Sequence, residues 1–296
     1  MPYCLMQLSF QAVRDLSTLG DDMAQIEMMY PDQVRSFMEK NKPDSYTLLD
    51  VRQEWEYEEE HIPGAHLLPL AELPDRVDEL DRGKPMLVYC RSGARSMAAA
   101  HLLQGQGVND ITNLVGGLSA WNGGTAFGPM ELGLVEFTGR ETPGEVVLKA
   151  YSMEHALQVF YEQRADWAET MERIELFMTL AGFEDRHKDT LFTLYNKLAD
   201  REMDRSEFDK MALHGEGVVE GGVEIAAFLD RHPTAFDDEQ GVLQLSVMIE
   251  AQALDYYQRC AAAAQGEETR EVLQLLAREE KAHLRLLGKF MDDRER

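Results

Sequence analysis

The sequence predicts two joined folds: an α/β unit with a parallel sheet and flanking helices, then an all-α four-helix bundle. Three observations predict this. A length of 296 residues suits two domains of about 100 to 150 residues each. From Tyr46 to about Trp121, branched apolar runs such as YTLLDV and PMLVYC alternate with helix-like runs such as MAAAHLLQGQG, the pattern of a parallel sheet covered on both faces. Beyond the glycine-rich stretch GGLSAWNGGTAFGP, the chain reads as helices and repeats itself.

The limits follow from these shifts. Residues 1–24 match neither half and form an unassigned extension. The α/β unit covers 25–125, a glycine-bearing linker 126–141, and the bundle 142–296. Thr142 is a candidate N-cap with Pro143 in the first turn of the opening helix, and Gln265-Gly266 reads as a helix stop. No such stop marks the first hairpin near Glu169.

The repeat carries the chemistry of the second half. LAGFEDRHKDTL and LAREEKAHLRLL share the frame L-A-x-x-E-x-x-H-x-x-x-L. Glu154 and Glu250, Tyr161 and Tyr257, Glu184 and Glu280, and His187 and His283 are each 96 residues apart. Positions i and i+3 on a helix differ by about 60° and about 4.5 Å along the axis, so Glu184 and His187 point together, as do Glu280 and His283. Two hairpins related by a pseudo-twofold would gather Glu154, Glu184, His187, Glu250, Glu280 and His283 in one core. Four buried carboxylates cannot remain ionised without compensation. Two multivalent cations provide it, and oxygen-rich ligands with one imidazole per ion suit iron, with manganese the alternative, better than zinc. Tyr161 and Tyr257 return to the face of the first glutamate in each half and are candidates to hydrogen-bond the ligands from behind.

In these residues the second half resembles the rubrerythrin branch of the ferritin-like family, with YSMEHALQVFY and VMIEAQALDYY similar to its first and third helices. The resemblance implies a di-iron carboxylate bundle, a homodimer, and dioxygen or hydrogen peroxide as the reactant. Residues 201–241 would be the long crossover. The chain departs from the family in two ways. Ala253 stands where rubrerythrins carry a further glutamate, and no rubredoxin domain with C-x-x-C pairs is present.

In the first half, Cys90 ends a predicted strand and opens CRSGARS before a helix. A loop at the C-terminal edge of a parallel sheet is where ligands bind. Gly93 permits a positive φ that turns successive amides inward as an anion nest. Nest, helix N-terminus, Arg91 and Arg95 should all favour the thiolate. LLDVRQEWEYEEEHIPGAHLLPL, VYCRSGARS and LVGGLSAW together resemble a single-domain rhodanese. The resemblance makes Cys90 the catalytic persulfide carrier and Arg91, Ser92, Gly93, Ala94, Arg95 and Ser96 its substrate pocket. It also makes Asp50 and Arg52 a structural pair bracing the loop. The donor would be a small thiosulfate-type anion and the acceptor a thiol. Phosphatases on this fold need H-C-x5-R, but Tyr89 precedes the cysteine and Ser96 stands where that arginine would be.

A net charge of −25 excludes nucleic acid as a natural partner, and no run approaches the ~20 apolar residues of a membrane helix. Three widely spaced cysteines, Cys4, Cys90 and Cys260, argue against a disulfide framework and for a cytoplasmic protein. The functional expectation is a bifunctional enzyme. A rhodanese-like sulfurtransferase would be fused to a di-iron oxidase or peroxidase-like domain, acting in sulfur handling or oxidative-stress defence. The alternative is a rhodanese domain on a non-redox metal-binding bundle that serves dimerisation or sensing.

Overall fold

The computed structural model describes residues 25–132, 134, 137–199, 203–213 and 238–294. The N-terminal extension expected at 1–24, with Cys4, lies outside them, as does most of the expected crossover.

The α/β part runs β1 (Glu27–Met29), α1 (Pro31–Lys40), β2 (Thr47–Asp50), α2 (Glu54–Glu59), β3 (His66–Leu67), α3 (Leu73–Arg76), β4 (Met86–Tyr89), α4 (Ala94–Gly105) and β5 (Ile111–Leu114). The five strands form one sheet in the order β1-β5-β4-β2-β3, every neighbouring pair parallel. Side chains alternate across a strand, and both faces are apolar. Leu49 and Val88 pack with Leu73, Ala99 and Leu103 on one face, while Leu48, Leu87 and Tyr89 pack with Val34, Met38 and Tyr57 on the other. β4 lies between β2 and β5, with Asp50 in register with Tyr89. The register therefore places the residue after Tyr89, Cys90, beside the end of β2.

Among the described residues, five helices follow: α5 (Pro143–Trp167), α6 (Met171–Leu198), α7 (Arg205–Ala212), α8 (Glu239–Ala263) and α9 (Glu267–Arg294). α5 pairs with α6 and α8 with α9 as two hairpins. At about 1.5 Å per residue, the 25-residue helices α5 and α8 each extend about 38 Å. Thr142 caps α5 in a reciprocal box: its Oγ1 accepts from Glu145 N at 3.3 Å, and Glu145 Oε2 accepts from Thr142 N at 2.8 Å. The first hairpin, which carried no stop signal in the sequence, turns at residues 168–170. Thr170 then starts α6 by accepting from Arg173 N at 3.3 Å. The signal is thus a start cap rather than a glycine stop. Inside the expected crossover, α7 docks by Phe208, fully buried against Tyr151, Phe192 and Tyr195.

The two parts meet along one face of α8. Gln252, Asp255 and Arg259 stand at spacings of three and four, so they share that face, and Gln252 and Asp255 are fully buried. Gln252 Oε1 accepts from Phe127 N at 3.0 Å. Asp255 Oδ1 accepts from Gly64 N at 2.9 Å and stands 3.5 Å from His61 Nε2. Asp255 Oδ2 accepts from Arg259 Nε at 2.7 Å, and Arg259 Nη1 donates to Met130 O at 2.9 Å and to Leu132 O. Lys281 Nζ adds a bond to Met38 O at 3.0 Å. Among the described residues, no helix is long and apolar enough to cross a membrane.

Candidate functional site

The loop after β4 builds a cradle around a sulfur atom. Gly93, the N-cap of α4, adopts φ 97°, a conformation open to glycine at little cost. Its amide donates to Cys90 Sγ at 3.1 Å, and Ser96 Oγ donates to the same sulfur at 3.5 Å. The loop is held from behind. Leu118 N donates to Cys90 O at 2.8 Å, and Ser119 N to Arg91 O at 2.9 Å. Gly117 lies so close to this loop that a Cβ there would fall 2.2 Å from Cys90 O. Burial pushes the Cys90 thiol up, but Ser96 and the amides of Ser92, Gly93 and Ser96 outweigh it, so the thiol lies below its ordinary value. The other described cysteine, Cys260, has no such cradle, and burial pushes it up to about 12. The surroundings of Cys90 favour its thiolate relative to an ordinary cysteine, and those of Cys260 disfavour it.

The arginines behave differently from the sequence expectation. Arg95 forks onto Glu56, with Nη1 to Oε2 at 2.6 Å and Nη2 to Oε1 at 2.8 Å, and Arg91 is exposed. Neutral hydrogen-bond donors, rather than guanidinium contacts, line the sulfur. Asp50 and Arg52 form a buried ion pair, with Arg52 Nη2 2.7 Å from Asp50 Oδ2 and also donating to Glu60 O at 2.6 Å. This clamp ties the end of β2 to the chain after α2. Replacing Ser96 with alanine should shift the pH profile of Cys90 alkylation by iodoacetamide upward and slow the reaction several-fold at neutral pH. An unchanged profile would show that the hydroxyl does not stabilise the thiolate.

The second cluster lies inside the bundle. Glu154 (α5), Glu184 and His187 (α6), Glu250 (α8), and Glu280 and His283 (α9) come together as the 96-residue repeat requires. Three groups of their donor atoms lie within 4.8 Å of one another: Glu154 with His187 and His283, Glu184 with His187 and Glu250, and Glu250 with Glu280 and His283. His187 Nδ1 is 3.3 Å from Glu154 and 3.0 Å from Glu184, and His283 Nδ1 is 3.3 Å from Glu250 and 2.9 Å from Glu280. The two imidazoles stack with centroids 3.3 Å apart. Burial pushes Glu184 well above the usual carboxylate range and Glu280 up to about 8. Burial would lower His187, but the Glu154 carboxylate beside it raises it to about 10.

These residues fit a pair of metal ions. Oε2 of Glu184 and Oε2 of Glu250 are buried and face only the imidazole Nδ1 atoms of His187 and His283, at 3.0 and 3.3 Å and without hydrogen-bond geometry, at a cost that metal coordination would remove. A donor set of four carboxylates and two imidazoles is hard and oxygen-rich, as iron or manganese requires. A cavity of about 360 Å³, lined by Glu154, His187, Tyr257, Glu280 and His283, reaches this cluster.

The tyrosines part company with the symmetry of the repeat. Tyr161 OH donates to Ser246 Oγ at 3.0 Å, which turns it toward α8. The position equivalent to Ser246 in the first half is Ala150, and it lines the cavity together with Tyr257. A small side chain there leaves the space open on one side of the cluster.

Sequence reasoning passed over Glu56 and the His61–Asp255–Arg259 group. Glu56 lies in EWEYEEE, where acidic neighbours hide it, and its partner is 39 residues away. Asp255 lies only five residues beyond Glu250 of the carboxylate-histidine cluster, yet it faces the other half of the chain.

A parallel α/β sheet carrying a cradled cysteine is joined to a helical bundle with a carboxylate-histidine core. Comparison with known proteins gives each half its family. The model of the rhodanese-like domain matches residues 30–123, and the rubrerythrin model matches residues 241–296. YrkF of Bacillus subtilis is 38% identical over 93 residues, 31% of this chain and 50% of that protein. YqhL of the same organism is 42% identical over 76 residues, 26% of this chain and 60% of that protein. The thiosulfate sulfurtransferase GlpE of Coxiella burnetii is 39% identical over 80 residues, 27% of this chain and 75% of that protein. The chain thus spans about half the length of the first of these relatives. A crystal structure of the Alr3790 protein from Anabaena sp. is similar at 31% identity and a TM-score of 0.32, covering 34% of this chain and 92% of that one. The chain belongs to the rhodanese-like family through its α/β half and carries a rubrerythrin domain in its helical half.

Proposed function

We propose that this protein is a bifunctional enzyme. Its 25–125 domain is a sulfurtransferase that carries sulfane sulfur as a persulfide on Cys90. Its 142–296 domain, beyond a linker at 126–141, holds a di-iron centre of the oxidase or peroxidase type through Glu154, Glu184, His187, Glu250, Glu280 and His283. The observation that carries the sulfurtransferase reading is the cradle at Cys90, where amide and hydroxyl donors converge on one sulfur at the end of a strand. The same donors stabilise the thiolate before transfer and face the outer sulfur of the persulfide after it. Asp50 and Arg52 keep the adjoining strand end fixed, so the loop pays little reorganisation cost in each half-reaction.

When bound, the two metal ions supply redox chemistry toward dioxygen or hydrogen peroxide. The chain's own contribution is to hold six ligands in a dry core and to leave the cavity beside Tyr257 as the approach for a small oxidant. With Ala253 in place of the further glutamate, one fewer carboxylate is available to exchange at the centre. The symmetric set therefore favours an oxidase-like centre over an efficient peroxidase. Assembly as a homodimer in the cytoplasm belongs to the same proposal.

Mass spectrometry of the intact protein after mixing with a sulfane-sulfur donor tests the first activity. A gain of one sulfur, about 32 Da, located on Cys90 and removed by cyanide as thiocyanate, is expected. No added sulfur from any donor would contradict the reading.

A further inference from the structure

We infer that Glu56 sets the class of sulfur donor. By holding Arg95 in a closed ion pair it leaves the Cys90 pocket lined with neutral donors, which suits it to organic persulfides rather than to the thiosulfate dianion. The inference rests on the reading of Cys90 as the persulfide carrier and specifies what that carrier accepts.

The geometry is that of a matched fork. Both terminal nitrogens of Arg95 meet both oxygens of Glu56, the arrangement in which a guanidinium has the least freedom to turn to another anion. Glu56 is itself fixed: it is 5% exposed, and its Oε2 also accepts from Gln53 N at 3.1 Å in the first turn of α2. The Arg95 fork holds the Glu56 carboxyl down at about 2, so the pair stays charged throughout the physiological range. The other guanidinium at this edge of the sheet, Arg52, is committed to Asp50. Arg91 lies in solvent, where water and salt screen its charge.

Charge then separates the donors. With thiosulfate, the Cys90 thiolate attacks the outer sulfur, and a new S–S bond forms at Sγ. The bond between the outer and inner sulfurs breaks, and sulfite leaves with the electron pair. Three negative charges are present at the loop throughout. With an organic persulfide R–S–SH, the same attack on the outer sulfur breaks the S–S bond of the donor and expels the thiolate R–S⁻, leaving Cys90 as a persulfide that keeps the proton. One negative charge is present throughout. A cradle of amides and a hydroxyl, with its arginine paired to Glu56 and reaching Cys90 only through its field, stabilises one charge better than three.

The test is steady-state kinetics of the full chain with thiosulfate and with glutathione persulfide, each with cyanide as acceptor. The wild-type protein should show kcat/KM for glutathione persulfide about 100-fold above that for thiosulfate. Glu56→Gln should raise kcat/KM for thiosulfate roughly ten-fold, mainly through KM, while Glu56→Asp restores the wild-type preference. A wild-type preference for thiosulfate, or an equal loss with both donors in Glu56→Gln, would overturn the inference, the second by making the pair merely structural. If Glu56→Gln fails to fold, the Glu56→Gln, Arg95→Gln double variant, which leaves no buried carboxylate unpaired, replaces it. An equal fall with both donors is then expected, and a loss confined to thiosulfate would show that Arg95 grips the dianion and overturn the proposal. Absence of transfer from either donor in the wild-type protein would overturn the prior reading of Cys90 and this inference with it.

Discussion

Replacing Cys90 with serine is expected to abolish sulfur transfer, lowering kcat by at least about 10³-fold. Metal content and thermal unfolding should stay near wild type. The size of the effect follows from the chemistry of the group. The cradle stabilises a thiolate, which is a strong nucleophile when partly ionised near neutral pH, whereas a serine hydroxyl remains protonated and cannot carry a sulfane sulfur. The variant should disturb packing little, because the loop is also tied by backbone bonds from Leu118 and Ser119, and a serine hydroxyl can accept from Gly93 N where the sulfur did. Residual turnover above a few per cent of wild type would move the reaction to another group.

Asp255→Ala should produce the largest loss of stability, about 3–5 kcal/mol. The substitution leaves Arg259, which is 10% exposed at its side chain, without its carboxylate partner. It also deprives Gly64 N of its acceptor and His61 of the carboxylate facing it. Because these contacts join the two halves, urea unfolding monitored by circular dichroism should change from one transition to two. A single transition within 1 kcal/mol of wild type would show that the halves do not depend on this contact. Burial would raise the Asp255 carboxyl, but His61 and Arg259 outweigh it and hold it at about 2, below its ordinary 3.8. The stabilisation is therefore complete above about pH 4 and is lost as the pH falls through about 2. The variant should accordingly converge with wild type in strong acid.

The parts of this molecule that were legible in its sequence are the ones written in local periods. A Glu-x-x-His pair records a helical face by itself, and its recurrence 96 residues later records a second helix of the same kind, so the six residues that the bundle core brings together could be named before any fold was known. The strand–cysteine–glycine–helix order of the loop is local in the same way, as is the Thr142–Glu145 cap. What stayed hidden depends on pairings across the chain. Arg95 reads as a free cation until Glu56 is seen beneath it. Asp255 reads as one more acidic residue on an acidic helix until Gly64 and His61 are seen against it. Tyr161 and Tyr257 occupy equivalent positions, and only the exchange of Ser246 for Ala150 between the repeats gives them different surroundings. Spacing alone places the first hairpin turn near Glu169; its own signal stays hidden because it is Thr170, a cap for the following helix, and not a glycine.

The claim that most needs testing is that the carboxylate-histidine core is a two-metal centre, since the oxidase half of the proposed function depends on it. The direct measurement is metal content per chain in anaerobically purified protein, set beside the same measurement on a Glu184→Ala, Glu280→Ala double variant. Two iron ions per chain are expected on the four carboxylates and two imidazoles, and their loss in the variant with sulfur transfer at Cys90 retained. Metal-free wild-type protein, or equal metal in both samples, would contradict it.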